Sequence, residues 1–393
     1  MKPLWHDILR WRGAKALVGA IALTGLSAKA GYDFAGQGLI NVLSGSVTNG
    51  NLFWSTVPTW LNNAPALPYT NEVSFTLPAC DRIVASRLVL TAWGGTADYV
   101  CQINVSVNGS NPPALNPFTF GTTTDTNAVF SATQPCAYGS GYGVWLVGLP
   151  IASELLHTNG SANIIRVGRR STTGFDGRLH HVTLLAVYES AGLANRFDYA
   201  VAEGSGDIRA APSAPQVDTR TAAFAAVNPT NATAATLSAL YTYGDTGQND
   251  MLFFNGTFLG GADVSQWDAS QTNYGPSVVS FDVLALVAVT NNVRFDVSAA
   301  NVPDPRDQNL RPQLAALAVT RPAVVARPSL TISSGGQVGW TTNSAGFALE
   351  SNTNLIGGTW TAVTNEPAIS GDQFRVTVGV SEAQVFFRLK KSN

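Results

Sequence analysis

The sequence predicts an all-β protein built from two tandem jelly-roll-like β-sandwich domains and a small Ig-like C-terminal β-sandwich. Segments of alternating apolar and polar residues are separated by Gly, Pro and Asn-Gly turns. A set of strand landmarks recurs later in the chain, and only residues 151–157 suit a short helix. With 45% hydrophobic and 12% charged residues, the chain can fill large cores and present polar, weakly charged faces.

Residues 1–30 have the pattern of a cleaved signal peptide. Four basic residues precede an apolar run at residues 16–27, and Ala28 and Ala30 supply small residues before the expected cleavage site. The apolar run is shorter than the roughly 20 residues that cross a bilayer, and no later segment is long and apolar enough. We therefore expect an exported protein, secreted or at the cell surface, with no membrane span after cleavage.

The charge of the mature chain argues against nucleic acid as a partner. The whole chain has 23 Lys and Arg against 25 Asp and Glu. Removing residues 1–30 takes away five basic residues and one acidic residue, which leaves 18 against 24 and a net charge of −6. Phosphate contacts need a basic face, so we expect no nucleic-acid binding.

An internal repeat defines the two large domains. Five landmarks recur in the same order: residues 88–94 with 238–244, Asn108-Gly109 with Asn255-Gly256, Tyr142-Gly143 with Tyr274-Gly275, residues 163–167 with 291–295, and residues 183–187 with 315–319. We interpret residues 31–191 and 192–322 as two copies of one sandwich. The alternative, that unrelated β-sandwich sequences share such features, stays open at this point.

The remaining chain forms a linker and a small module. Residues 323–328 end in a proline and follow another, which is typical of a stiff linker. Residues 329–393 contain five short strand patterns whose aromatic and apolar residues can fill one small sandwich core.

Several short segments carry a family resemblance: GYDF at 31–34, LSGSV at 43–47, LTAWGG at 90–95, AVYE at 186–189, FDV at 281–283 and NNV at 291–293. Through them, residues 31–322 resemble the secreted bacterial and archaeal proteins grouped as domain of unknown function 3344. The resemblance implies export and a β-sandwich architecture. It implies no catalytic residues, because that family has no assigned activity.

The tail carries a second resemblance, through FALES at 347–351, NTNL at 352–355, WTAV at 360–363 and FFRL at 386–389. These segments resemble a small C-terminal β module of exported proteins from Verrucomicrobia-like and Planctomycetes-like bacteria. The sequence leaves open whether this module anchors, sorts or caps the protein.

Three cysteines, Cys80, Cys101 and Cys136, suggest one disulfide in an exported protein. We predict Cys101–Cys136, since Cys101 lies in a predicted strand and Cys136 just precedes another. The pairing Cys80–Cys136 remains an alternative.

The sequence contains no recognisable catalytic motif. HExxH, GxSxG and P-loop patterns are absent. His180 and His181 precede a predicted strand, where neighbouring side chains face opposite sides, so we expect solvated side chains that do not share a metal site. Carboxylates are present, but no spacing selects the pair that a glycosidase needs.

One loop suggests a calcium site. Asp304, Asp307 and Asn309 lie within residues 303–311, and calcium prefers several oxygen ligands of this kind. The alternative is that these residues simply form turns, which Asp and Asn favour.

Tryptophans in polar surroundings suggest a ligand site. Trp54 and Trp60 lie among Asn and Thr residues, and Trp267 is followed by Asp268 in a predicted loop. Flat rings beside polar groups suit sugars. The alternative is that these rings belong to the core.

Together these features predict a secreted, non-catalytic binding or adhesion protein that recognises an extracellular glycan or matrix polysaccharide. The alternative is a structural component of the cell envelope or surface layer that self-associates. A hydrolase with an unrecognised carboxylate pair is a third hypothesis.

Overall fold

The computed structural model describes residues 36–61, 64–93, 100–121, 133–140, 143–173, 177–206, 208–209, 217–242, 249–261, 276–298, 309–323, 328–333, 335–342, 346–379 and 384–391. The chain divides into two compact units, of which the first ends at Ala323 and the second runs from Val324 to Asn393. This division falls inside the predicted linker.

The first unit contains nineteen described strands: β1 Gly36–Thr48, β2 Gly50–Pro58, β3 Tyr69–Thr76, β4 Arg82–Trp93, β5 Val100–Val107, β6 Phe118–Phe120, β7 Cys136–Ser140, β8 Val144–Pro150, β9 Ala162–Thr173, β10 Arg178–Glu189, β11 Asn195–Gly206, β12 Ile208–Arg209, β13 Val217–Ala223, β14 Ala234–Thr242, β15 Asn249–Phe254, β16 Thr257–Gly261, β17 Pro276–Asp282, β18 Asn292–Ser298 and β19 Asn309–Pro322. Two 3-10 turns, Pro113–Leu115 and Ser153–Leu155, interrupt them. The second turn lies in the segment where the sequence predicts a short helix.

The first sandwich packs two antiparallel sheets face to face. Inner sheet 1 has the strand order β2-β10-β4-β8-β7, and outer sheet 1 has the order β3-β9-β5-β6. Alternate side chains of both sheets fill the core between them, among them Leu88, Ile103, Trp145 and Leu184. Without the edge strand β7, these eight strands have the order of a jelly roll.

The second sandwich repeats this order. Inner sheet 2 runs β1-β11-β19-β14-β17, with β12 also paired to β19, and outer sheet 2 runs β13-β18-β15-β16. Strands β11, β19, β14 and β17 correspond to β2, β10, β4 and β8. Leu237, Phe254, Phe295 and Leu317 lie in the core between these sheets.

One turn is repeated almost atom for atom. Asn108 and Asn255 both have a positive φ, 51° and 49°, and each is followed by a glycine that also has one. The Nδ2 groups of Asn108 and Asn255 donate to Oδ1 of Asn163 and Asn291, at 2.9 Å in both copies. The predicted correspondence of the two Asn-Gly turns therefore extends to their side-chain contacts.

The two inner sheets pack directly against each other. Val89, Leu146 and Leu185 of inner sheet 1 share a buried cluster with Val201 and Leu314 of inner sheet 2. The first unit therefore has four layers in the order outer sheet 1, inner sheet 1, inner sheet 2 and outer sheet 2.

Strand β1 belongs to a different sandwich from the one that the sequence indicates. It lies within residues 31–191 but pairs with β11 at the edge of inner sheet 2. The chain then turns at Asn49, whose φ is 57°, and enters inner sheet 1 as β2. The consecutive strands β1 and β2 thus lie in facing sheets. No local sequence pattern distinguishes this arrangement from one in which both strands belong to the same sheet.

The tail unit is a small sandwich of its own. Its strands are β20 Thr331–Ser333, β21 Gln337–Thr341, β22 Phe347–Asn352, β23 Thr361–Ala362, β24 Ala368–Ser370, β25 Gln373–Thr377 and β26 Phe386–Lys391. They form sheets in the orders β20-β21-β25-β24 and β23-β22-β26, around a core with Trp340 and Leu349.

The predicted all-β fold, with two jelly-roll-like sandwiches and a small third one, is confirmed. Among the described residues, no helix has the length and apolar character needed to cross a membrane.

The structure corrects the predicted disulfide. All three cysteines are described, and none of them is in a disulfide. Cys101 lies in the core between outer sheet 1 and inner sheet 1, whereas Cys136 lies in the cluster between the two inner sheets. Inner sheet 1 therefore separates Cys101 from Cys136.

Candidate functional site

A polar groove lies on the solvent-facing side of outer sheet 1. It encloses about 410 Å³. We call it the outer groove, and its lining consists of Pro68, Tyr69, Thr70, Asn104, Ser106, Asn111, Arg166, Gly168, Arg169 and Arg170. The groove is of a size that suits a small ligand or one residue of a polymer.

The floor of the groove is a glycine in the middle of a strand. Gly168 of β9 pairs with Thr70 of β3 on one side and Asn104 of β5 on the other. A Cβ at Gly168 would lie 3.3 Å from Oγ1 of Thr70 and 3.9 Å from Cβ of Asn104. Any larger side chain here would rise into the groove, so the missing side chain creates the concavity.

Strand β9 brings three arginines to the groove, Arg166 and Arg170 from its solvent-facing side and the buried Arg169 from the opposite side. Arg166 is half exposed, and Oε2 of Glu72 lies 2.6 Å from its Nε. Arg169 is buried, bonds to the carbonyl oxygen of Gly177, and places its guanidinium 4.7 Å from the centre of the Tyr69 ring. Arg170 is exposed. The described lining contains no Asp or Glu.

The second sandwich has a different residue at the position of Gly168. Counting from the equivalent residues Asn163 and Asn291, Arg166 corresponds to Arg294 and Gly168 to Asp296. The carboxylate of Asp296 lies 3.0 Å from Nη2 of Arg294. Burial raises the pKa of Asp296, and the charge of Arg294 opposes that shift.

Two of the predicted tryptophans, Trp54 in β2 and Trp60 just after it, lie at inner sheet 1 and away from this floor. Trp54 is half buried, packs against the cluster between the inner sheets, and donates from Nε1 to Oγ1 of Thr56 at 3.1 Å. The ring of Trp60 stacks on His180 at 4.7 Å, and the guanidinium of Arg178 lies 4.9 Å from its centre. His180 and Arg178 therefore cover part of the Trp60 ring surface on which a sugar could stack.

The other predicted site residues lie largely outside the described residues. Trp267, Asp268, Asp304 and Asp307 belong to segments that are not described, and of Asn309 only the backbone is, at the start of β19. In the part of the chain that the structure does describe, no group of three or more His, Cys, Asp or Glu side chains could hold a metal ion.

A buried ion pair joins the two inner sheets. Arg87 of β4 and Glu203 of β11 are both fully buried, and the Nε of Arg87 donates to Oε2 of Glu203 at 2.6 Å. A second bond joins Nη2 to Oε1. The hydroxyl of Tyr138 donates to the same Oε1 at 2.9 Å, and Cys136 lies beside it.

Tyr138 and Cys136, the neighbours of this ion pair, are held in their protonated forms. Burial, and then the negative charge of Glu203, raise the pKa of both the Tyr138 phenol and the Cys136 thiol. A protonated thiol is a poor nucleophile, so this cluster is built for packing.

His181 is the centre of a second buried network, which corrects the predicted solvated role of this residue. Its Nε2 lies 2.9 Å from Oε1 of Gln313, and its Nδ1 lies 3.0 Å from Oγ1 of Thr183. Because a carbonyl oxygen can only accept, the network assigns the proton to Nε2. Thr183 continues to Thr56 at 2.8 Å, and Gln313 to Thr242 at 3.1 Å. Burial lowers the pKa of His181 to about 4.

His180 and His181 do lie apart, as the strand alternation indicates. His180 is buried against Trp60, whereas His181 faces inner sheet 2.

The outer groove was missed by sequence reasoning, although one signal pointed to it. A lone glycine inside a strand pattern often marks a close approach of a backbone or a ligand, and Gly168 follows directly on the predicted strand 163–167. The register that places Thr70 and Asn104 beside it is set by strands that are distant in sequence.

Several solved structures align with this chain at low similarity. PNGase F, a glycosylasparaginase from Flavobacterium meningosepticum, is 9% identical with a TM-score of 0.24, over 69% of this chain and 96% of that one. A β-porphyranase of glycoside hydrolase family 86 from Bacteroides plebeius is 12% identical with a TM-score of 0.22, over 75% of this chain and 38% of that one. The major capsid protein of bacteriophage PM2 is 12% identical with a TM-score of 0.17, over 68% and 96%. Likenesses this distant carry over no activity.

The sequence comparisons assign a family. No curated protein matches the chain. A family model described as protein of unknown function (DUF3344) matches residues 33–320, a span that covers both large sandwiches. The chain therefore belongs to the DUF3344 family of proteins of unknown function.

Proposed function

We propose that this protein is a non-catalytic binding protein that recognises a glycan in the outer groove. The observation that carries the proposal is a polar groove of about 410 Å³ on an open sandwich face, with a bare glycine as its floor. The same proposal places the protein outside the cell, because residues 1–30 have the pattern of an export signal.

The lining suits a ligand rich in hydroxyl groups. Thr70 and Ser106 contribute hydroxyls, and Asn104 and Asn111 contribute side-chain amides. Each of these groups can both donate and accept hydrogen bonds. A sugar offers hydroxyl donors and acceptors around most of its ring, whereas an apolar ligand would offer these lining groups no partners.

The lining also favours binding over hydrolysis. Glycoside hydrolysis commonly uses two carboxyl groups about 5–10 Å apart across the bound sugar. The described lining supplies none. The polar clusters with altered pKa values, around Glu203 and His181, are buried between the inner sheets, where a polymer does not reach.

Binding of the purified protein to a panel of neutral and acidic polysaccharides tests the proposal. We expect one or more polymers to bind the wild-type protein and to lose binding in Gly168→Val, because the new side chain fills the floor. The matched control is Gly379→Val, since Gly379 is exposed and its Cβ would have no atom within 4 Å. Running the panel with calcium and with a chelator examines the predicted Asp304 loop at the same time.

Two outcomes would contradict the proposal. One is that no polysaccharide binds with or without calcium; the structural role with self-association would then be tested by sedimentation. The other is that Gly168→Val, shown by thermal unfolding to be folded, binds as well as Gly379→Val.

A further inference from the structure

The outer groove concentrates positive charge on a protein that is otherwise acidic. Three of its ten lining residues are arginines, whereas the whole chain carries a formal net charge of −2. Arg166 and Arg170 are exposed beside the floor, and the buried Arg169 lies on the opposite side of the same sheet. A neutral sugar gains little from the two exposed guanidinium groups of the groove, while an anion gains from each of them.

In the second sandwich, the chain itself makes the contact that a bound anion would make in the outer groove. At the position equivalent to Gly168, the chain carries the carboxylate of Asp296, and it contacts Arg294, the equivalent of Arg166, at 3.0 Å. The side chain of Asp296 is 6% exposed. In that copy, a carboxylate of the protein itself lies on the arginine, where the first copy has open space above a glycine.

From this juxtaposition we infer that the outer groove binds the carboxylate of an acidic sugar, and that the ligand is a polysaccharide containing uronic acid residues. The inference rests on the proposed function and specifies its ligand class. The floor of Gly168 leaves room for the ligand carboxylate, and Arg166 and Arg170 are the donors that meet it. A planar guanidinium can bond both oxygens of a carboxylate, which gives orientation as well as attraction.

Glu72 does not neutralise the groove. Its Oε2 lies 2.6 Å from the Nε of Arg166, and the side chains of Arg166 and Glu72 remain 51% and 54% exposed. Exposed pairs of this kind are weak, so a ligand carboxylate competes with Glu72 at small cost. Arg170 lies on the same face of β9, two residues beyond Gly168 and four beyond Arg166, and provides a second cation.

The test compares each acidic polymer with its own uncharged form. Binding of the purified protein to polygalacturonate and to alginate is measured by calorimetry beside the carboxyl-reduced forms of the same polymers. We expect the acidic form of at least one to bind about tenfold or more tightly, the effect of one charged hydrogen-bonded pair, and to weaken with added salt.

Three variants locate the effect. Arg170→Gln should lose about tenfold in affinity for the acidic polymer and little for its reduced form. Arg375→Gln, which alters an exposed strand arginine of the tail module, should change neither. Gly168→Asp reproduces the residue of the second sandwich and should abolish acidic binding, because its carboxylate takes the place of the ligand's.

The outcomes separate the two proposals. Equal affinity for acidic and reduced polymers, unchanged in Arg170→Gln, overturns the acidic-ligand inference and leaves glycan binding standing. Tighter binding of a sulfated galactan than of either uronate polymer overturns the carboxylate assignment. No binding to any polysaccharide removes the proposed function itself. If Gly168→Asp fails to fold, the Arg170→Gln and Arg375→Gln pair decides alone.

Discussion

At the scale of single residues, the buried contact between Arg87 and Glu203 is one on which stability should depend strongly. Burial works against the charge of Arg87, but the attraction and hydrogen bonds of Glu203 outweigh it and raise the pKa of the guanidinium. Gly148 of β8 makes room for the pair, because a Cβ there would collide with both side chains. The protein tolerates this buried ion pair because two hydrogen bonds join the guanidinium to the carboxylate.

Replacing Glu203 with Gln should therefore be severely destabilising. Glu203→Gln keeps the shape but leaves the Arg87 charge buried without an anion, which should lower the free energy of unfolding by about 3–5 kcal/mol. Urea unfolding measures it. Glu189→Gln is the control, because Arg82 in its ion pair is 66% exposed and such pairs contribute about 1 kcal/mol or less. Similar losses in the two variants would contradict the assigned burial of the Arg87 pair.

His181 should make stability depend on pH. Burial holds its pKa at about 4, below the ordinary value of 6.5 that applies to the unfolded chain. Between these values the unfolded chain binds a proton that the folded protein does not. The free energy of unfolding therefore falls as pH falls through this window, by on the order of 3 kcal/mol in total.

The measurement is the free energy of unfolding in urea at several pH values across that window. His181→Gln cannot take up this proton, so its unfolding free energy should change less steeply with pH than that of the wild type. The comparison of slopes is insensitive to any constant loss of stability in the variant. Parallel slopes would show that His181 does not carry this dependence.

At the scale of elements, the two Asn-Gly turns fix how β5 joins β6 and how β15 joins β16. Besides the bond to Asn163, Asn108 donates from Nδ2 to the carbonyl oxygen of Leu155 and accepts at Oδ1 from the backbone N–H of Ile164, both at 2.8 Å. Asn255 makes the same contacts with Leu286 and Asn292. Asn also tolerates the left-handed backbone that each turn requires.

Asn108→Ala and Asn255→Ala should each destabilise the protein by roughly 2–3 kcal/mol, through the lost hydrogen bonds and the strained alanine backbone. Thermal or urea unfolding gives both values. Asn159→Ala is the matched control, because Asn159 is exposed and its Oδ1 accepts a single bond from Ser161 at 3.1 Å. If only one of the two turn variants is destabilised, the turns are not equivalent despite their geometry.

Features that depend on local sequence could be predicted, and features that depend on contacts between distant strands could not. Alternation and turn residues are local, so the strands, the Asn-Gly turns and the repeat could be read from the sequence. The sheet that β1 joins, the side of inner sheet 1 on which Cys101 and Cys136 lie, and the neighbours of Gly168 depend on register between distant strands. These are the points at which sequence reasoning was wrong or silent.

At the scale of the whole molecule, the two large sandwiches form one structural unit. Strand β1 extends inner sheet 2 although it directly precedes β2 of inner sheet 1, and the Arg87–Glu203 pair crosses between the sheets. A chain ending at Ala323 should therefore unfold in a single cooperative transition, detected identically by fluorescence and circular dichroism.

A fragment of residues 31–191 should not reach a stable monomeric fold. It would expose the apolar face with Val89, Leu146 and Leu185 and leave Arg87 without Glu203. We expect aggregation or binding of a hydrophobic dye. A soluble fragment with a sharp unfolding transition, or two transitions in the longer chain, would contradict this account.

If the proposed function holds, the four-layer stack also determines how many polymer chains one molecule would bind. Sheets packed about 10 Å apart place the two outer sheets about 30 Å from each other, facing opposite directions. Duplication of a binding domain ordinarily gives two sites and the avidity that comes with them. Here the face opposite the groove carries the Asp296–Arg294 pair. Under the proposed function, one large unit would therefore bind a single polymer chain and would not crosslink two.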